Sequence, residues 1–239
     1  MLRRFYAEHI DRAADSFPLD RTQSAHVKLA LRLREGDLVS AFDGKGSEFE
    51  CEIAVLNKKE TRLKIVRETD PPASESSLKL TLAAALLKND KFELVIQKAT
   101  ELGVTRLVPL ITYRTEKVLK NAADRILRWR RIVIESSKQC GRATLMEITE
   151  PSDFNEAVEK LEGQRVLFGE KDGGALEEIQ TSNEVVAFIG PEGGWEDTEI
   201  SMAKENGCQI VTIGSRVLRA ETASIAVASL LQHRFGDLS

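Results

Sequence analysis

The sequence predicts an α/β protein built as a small β-rich domain followed by a larger domain with a mainly parallel sheet. Three observations predict it. Residues 70–77, Asp-Pro-Pro-Ala-Ser-Glu-Ser-Ser, interrupt regular structure with two prolines and a run of small polar residues. Ahead of that break, short β-type segments are separated by turn residues. Behind it, short apolar runs alternate with segments of helical periodicity, the pattern of a parallel sheet covered on both faces. The boundary is placed there, giving domains 1–72 and 73–239.

The first domain reads as a small barrel or curled sheet. Asp37 to Phe42 is rich in β-formers and leads into Asp43-Gly44, a strong hairpin signal. Phe49 to Val55 alternates apolar with polar, and Thr61 to Val66 does so weakly. In the second domain, Leu78 to Leu87 is a continuous apolar run. Phe92, Val95, Ile96, Ala99 and Leu102 recur at helical spacing, and Gly103 supplies a stop. Thr105 to Ile111 reads as a buried strand and Asp124 to Gln139 as a helix. Within that helix Trp129 is expected in the core. Arg165–Phe168, Val185–Ile189 and Gln209–Ile213 read as further buried strands. Helices are expected from about Glu196 to Asn206 and up to about Arg234. In such sheets ligands bind at the carboxyl ends of the strands.

Composition excludes several classes. Of 239 residues, 42% are hydrophobic and 30% charged, ordinary globular values. No run approaches the ~20 apolar residues of a membrane span, and the opening residues lack a signal-peptide core. Cys51, Cys140 and Cys208, and likewise His9, His26 and His233, are scattered. Neither a disulfide framework nor a metal cluster is expected, and a reducing, cytoplasmic setting fits. The net charge is −4, but it is unevenly spread. Residues 88–142 carry 13 Lys+Arg against 6 Asp+Glu, whereas residues 143–239 carry 7 against 18. That asymmetry suggests a local polyanion-binding face, although a merely solvated basic helix gives the same count.

Two segments carry the chemistry. Ile189-Gly190-Pro191-Glu192-Gly193-Gly194 joins a buried strand to a helix, where glycines let the backbone turn tightly and approach a ligand. A phosphate loop is disfavoured. No Lys-Ser/Thr follows the last glycine, and the Glu192 carboxylate would repel phosphate. The second segment, Ile213-Gly214-Ser215-Arg216-Val217-Leu218-Arg219-Ala220-Glu221-Thr222-Ala223, again leaves a strand at a glycine and enters a helix. That helix is apolar on more than one face, so it is buried in a core or against a second subunit. Glu221 falls in its first turn, favourable for a carboxylate. Arg219 and Glu221 also admit a purely structural reading as an ion pair. A third segment runs Gln97-Lys98-Ala99-Thr100-Glu101-Leu102-Gly103-Val104. Arg125, Arg128 and Arg131 recur every third residue along one helix face, where guanidinium groups suit phosphates.

Taken together these residues resemble the SPOUT (α/β-knot) methyltransferases. The segments 97–104 and 135–142, with Arg3-Arg4-Phe5, Leu31-Arg32 and Phe42-Asp43-Gly44, narrow the likeness to the RsmE family of 16S rRNA (uracil-N3) methyltransferases. The resemblance covers nearly the whole chain in order. It implies a PUA-like RNA-binding β-barrel domain and a SPOUT domain with a deep trefoil knot. It implies a homodimer, and S-adenosylmethionine held by Ile189, Gly190, Pro191, Glu192, Gly193, Gly194, Ile213, Gly214, Val217, Leu218 and Arg219. The expected substrate is N3 of a uridine in 16S rRNA, within the small ribosomal subunit.

The expected reaction brings a sulfonium methyl in line with N3 of an extruded uracil. Arg219 is expected to stabilise the developing uracil anion, Glu221 to orient Arg219 or accept the proton, and Thr222 to hydrogen-bond a ligand. Arg3, Arg4, Arg32, Arg114, Arg125, Arg128, Arg131 and Arg142 are expected to contact RNA phosphates. Alternatives are a SPOUT methyltransferase acting on transfer RNA, and a non-catalytic assembly factor with a degenerate pocket. One departure from the family pattern is expected to matter locally. Glu196 stands where the family usually has Ser, which removes a Ser-x-x-Glu capping box worth about 1 kcal/mol and leaves Asp197 or Thr198 to cap. Ser136, Ser137 and Met146 are further departures.

Overall fold

The computed structural model describes residues 2–25, 27, 31–57, 60–88, 90–115, 122–169, 173–180 and 182–238. The chain forms two compact units, which do not follow from a single cut. The first comprises Met1–Glu75 together with Ile134–Leu145, the second Ser76–Val133 with Met146–Ser239.

The first unit holds β1 (Arg4–Tyr6), β2 (Phe17–Pro18), a short helix α1 (Arg21–Ala25), β3 (Leu38–Phe42), β4 (Glu48–Leu56) and β5 (Thr61–Thr69). They make a five-stranded sheet in the order β1-β3-β4-β5-β2, antiparallel except where β1 lies parallel to β3. The hairpin from β3 to β4 turns at Asp43-Gly44, as the sequence predicts. The Asp43 carboxylate accepts from the Lys45 N–H at 2.7 Å and the Ser47 N–H at 3.1 Å. Alternation along β4 sends Phe49, Cys51 and Ile53 into a core shared with Phe5, Phe17, Val39, Ala41 and Leu63.

The second unit contains β6 (Lys79–Ala85), α2 (Lys91–Glu101), β7 (Arg106–Ile111), α3 (Ala122–Cys140, its last residues belonging to the first unit), β8 (Glu147–Ile148), β9 (Ser152–Asp153), α4 (Phe154–Lys160), β10 (Gln164–Phe168), β11 (Glu184–Ile189), α5 (Asp197–Glu205), β12 (Gln209–Val211) and α6 (Ala220–Phe235). Its seven strands are all parallel, in the order β12-β10-β11-β6-β7-β8, with β9 also on β7. The central strands are buried on both faces, which is why they read as unbroken apolar runs. The chain leaves β6 to one side for β7 and later returns on the other side with β10 and β11. The order therefore reverses beside β6, and a crevice opens at the carboxyl ends of the neighbouring β10, β11 and β12.

Trp129 packs in the core, 4% exposed, with its ring 5.0 Å from that of Phe92. The last helix is tied to α2 by its buried Gln232, which donates to the Gly103 carbonyl at 3.0 Å and accepts from the Ser76 hydroxyl at 2.7 Å. Strand β12 stops at Val211, so Ile213, expected in that strand, belongs to the loop beyond it.

Candidate active site

The crevice is built by two loops. The first leaves β11 at Ile189. The Trp195 ring folds back over Gly190 so closely that a Cβ there would stand 3.0 Å from ring atoms, so any larger residue would have to push the ring aside. The indole N–H donates to the Phe168 carbonyl at 3.0 Å, at the end of the neighbouring β10. Gly194 turns the chain with φ +73°, and its N–H donates to the Pro191 carbonyl. The expected loss of a helix cap does not occur. Glu196 is the N-cap of α5 and a capping box is kept, the Glu196 N–H donating to Glu199 Oε2 at 2.9 Å. A Glu side chain is long enough to serve where Ser was expected, and Asp197 is the first helical residue. Glu199, 7% exposed, also accepts from the Tyr113 N–H at 3.0 Å and so ties the start of α5 to the end of β7.

The second loop runs from Thr212 to Arg219, which is the N-cap of α6. Between the loops lies a cleft lined by Phe168, Gly169, Ile189, Gly190, Pro191, Gly194, Trp195, Thr212, Ile213, Arg216, Val217, Leu218, Ala220 and Ala223. Seven of the residues expected to hold a cofactor line it: Ile189, Gly190, Pro191, Gly194, Ile213, Val217 and Leu218. Glu192 and Gly193 line an adjoining cleft instead, with Leu86, Leu87, Lys88, Arg114 and Pro191. Gly214 and Arg219 line neither.

A charged cluster joins the loops. Lys91, the first residue of α2, donates a short hydrogen bond to Glu192 Oε1 and stands 3.9 Å from Glu221 Oε1. That hydrogen bond, helped by the Lys91, Lys88 and Arg219 charges, holds the Glu192 carboxyl below the usual carboxylate range. Glu221 is 9% exposed and its Oε2 has no hydrogen-bond partner among the described residues. The structural Arg219–Glu221 ion pair does not form. Arg219 is exposed and makes no ion pair among the described residues, and Glu221 faces Lys91. Arg114 braces the first loop, with Nε on Glu196 Oε1 at 2.7 Å and Nη1 on the Gly193 carbonyl.

Residues 74–232 match the model of the RNA methyltransferase domain, and residues 19–66 match that of the RNA methyltransferase PUA domain. The chain belongs to the RNA methyltransferase domain family. Among curated relatives it is 36% identical to ribosomal RNA small subunit methyltransferase E of Synechocystis sp., over 89% of this chain and 71% of that protein. It is 31% identical to the protein of the same name from Rickettsia conorii, over 84% and 82%. Among solved structures, a ribosomal RNA small subunit methyltransferase E from Neisseria gonorrhoeae bound to S-adenosyl methionine superposes over the full length of both chains. Its TM-score is 0.92 at 32% identity.

In this RNA methyltransferase, two of the arginines expected at RNA phosphates are internal. Arg4 is 7% exposed and spends all five N–H groups inside the first unit: two on Glu48 at 2.9 and 2.8 Å, and three on the carbonyls of Ser137, Lys138 and Arg142. Arg142, 4% exposed, is forked onto Glu75 at 2.7 Å. A guanidinium already saturated and buried has nothing to offer a phosphate, so both are structural. Arg3, Arg32, Arg114, Arg128 and Arg131 are exposed and Arg125 is half-buried. Arg128 is forked onto Glu93, so phosphate would have to displace that carboxylate. Phe168, Gly169, Trp195, Thr212 and Arg216 are cleft residues that sequence reading missed. Their signal was positional: Phe168-Gly169 ends a buried parallel strand. Lys91 carried no signal, being one lysine on a helix remote in sequence from both loops.

Proposed function

We propose that this chain transfers the methyl group of S-adenosylmethionine to N3 of a uridine in small-subunit (16S) ribosomal RNA. The observation that supports this most directly is the family's cleft at the carboxyl ends of β10, β11 and β12, walled by the two glycine loops. The residues fit such a cofactor. Ile189, Ile213 and Leu218 give apolar walls for an adenine, the loops offer backbone groups, and no phosphate-binding lysine interrupts them. The unpartnered Glu221 Oε2 leaves a buried acceptor beside the cleft, where a ligand donor satisfies it. When bound, the group supplies an electrophilic methyl on a sulfonium. Arg219, exposed at the α6 N-terminus, has the charge to stabilise a uracil anion, and Thr222 lies one turn from it. The two loops are also those the resemblance assigns to a trefoil knot. Partly exposed Ile225, Ala226 and Leu230 along α6 support a homodimer through that helix.

The test is mass spectrometry of ribosomal RNA from cells with and without the gene, with the purified protein assayed on small subunits and on transfer RNA. A single N3-methyluridine should vanish from 16S rRNA with the gene and return on incubation with protein and cofactor. Methylation of transfer RNA alone would move the substrate. Absence of cofactor binding in calorimetry would leave the assembly-factor reading.

A further inference from the structure

The cleft lined by Leu86, Leu87, Lys88, Arg114, Pro191, Glu192 and Gly193 shares the Pro191 wall with the cofactor cleft and lies at the carboxyl ends of β6 and β7. We infer that it is the subsite for the target uracil, with Glu192 accepting the hydrogen bond from N3–H and the Lys88 and Arg114 cations facing the two carbonyl oxygens. This rests on the methyltransferase reading above.

The pairing edge of uracil presents acceptor, donor, acceptor. The cleft is lined by one carboxylate, Glu192, and two cations, Lys88 and Arg114, which is one acceptor and two donors. Cytosine offers a bare ring nitrogen at the central place, and two acceptors facing one another leave both unpaired, the costly case. Glu192 is suited to this because Lys91 holds it ionised and therefore acceptor-only. Arg114 is fixed by Glu196 and the Gly193 carbonyl, while its Nη2 has no partner among the described residues. Leu86 and Leu87, each 5% exposed, add apolar lining to the same cleft. The cleft volume is about 190 Å³, room for one pyrimidine.

The experiment uses the full chain and an RNA substrate carrying uridine, cytidine or 3-deazauridine at the target position, the last lacking the N3–H donor. Wild type should methylate the uridine RNA and bind it at least about fivefold more tightly than the 3-deazauridine RNA. In Glu192→Ala, which leaves no side-chain acceptor, that binding gap should close to within twofold, and the uridine rate should fall at least about a hundredfold. Cofactor affinity by calorimetry should stay within twofold. An unchanged uridine gap in the variant would overturn the subsite. So would a tenfold loss of cofactor affinity, which would assign Glu192 to the ammonium of the cofactor's amino-acid end. If wild type methylates no uridine at all, it is the parent reading that fails.

Discussion

At the residue scale, the arginine of the second loop is the sharpest case. Arg219 stands exposed at the N-cap of α6 and close enough to Glu192 to depress that carboxyl, yet it lines neither cleft. A cation so placed can meet charge that develops on a substrate without helping to hold the cofactor. Replacing it with Ala should lower turnover by at least about a hundredfold, the usual size of a lost electrostatic contact at a developing anion. Cofactor affinity measured by calorimetry should change less than twofold. Near-normal turnover would remove Arg219 from the chemistry. The contrast with Arg4 explains what a sequence cannot say about arginine. Both occur in motif-like surroundings, but only folding decides whether five donors meet a carboxylate and three carbonyls or meet solvent. The glycine loops were legible because their constraint is local: a close approach at Gly190 and a left-handed turn at Gly194 leave a trace in residue type. Glu221 was legible as a first-turn acid. Its partner Lys91 was not, since the contact joins residues 130 positions apart in the chain.

At the element scale, α5 shows how a local rule can hold while its residue changes. A Glu N-cap keeps the capping box in place of Ser, and Glu199 holds both the Glu196 and the Tyr113 N–H groups. Glu199→Ala should therefore cost about 1–2 kcal/mol, by loss of a cap and exposure of two donors. Urea unfolding should show a lower midpoint with unchanged slope. A midpoint within error of wild type would mean that the box contributes nothing. The staple from α2 makes a pH prediction. Lys91 keeps the Glu192 carboxyl below its ordinary range, so in wild type that group takes up its proton at lower pH than an ordinary Glu. Lys91→Met removes the main cause. The carboxyl then rises toward its ordinary value and protonates at higher pH, so the acid limb of the kcat/KM profile should move upward. A limb that stays in place would mean that Glu192 ionisation does not govern the rate. The helices α2 and α3 were legible from periodicity, and β6 and β11 as unbroken apolar runs. The two-residue strands β2, β8 and β9 were not, because pairing with a neighbour defines them and no pattern fits in two residues.

At the scale of the whole molecule, the acidic total hides where charge is useful. Residues 88–142 remain the basic segment, but the structure sorts its arginines: Arg142 is consumed internally, Arg128 is shared with Glu93, and Arg131 is exposed. Binding to RNA by exposed arginines releases counterions, so the logarithm of affinity should fall linearly with that of salt concentration. Each phosphate contact on a single strand adds about 0.7 to the slope. Arg131→Ala should reduce the slope by roughly that amount while leaving the urea midpoint alone. Arg128→Ala should act more weakly, because its carboxylate partner already offsets the charge. Arg4→Ala should do the reverse. Removing one member of a buried, fully bonded pair costs about 3–5 kcal/mol, so stability should drop steeply while the salt slope of the remaining folded protein stays as in wild type. If instead Arg4→Ala flattened the slope, or Arg131→Ala left it untouched, the division between internal and RNA-facing arginines would be wrong. Two variants in one salt titration, each checked by unfolding, decide it.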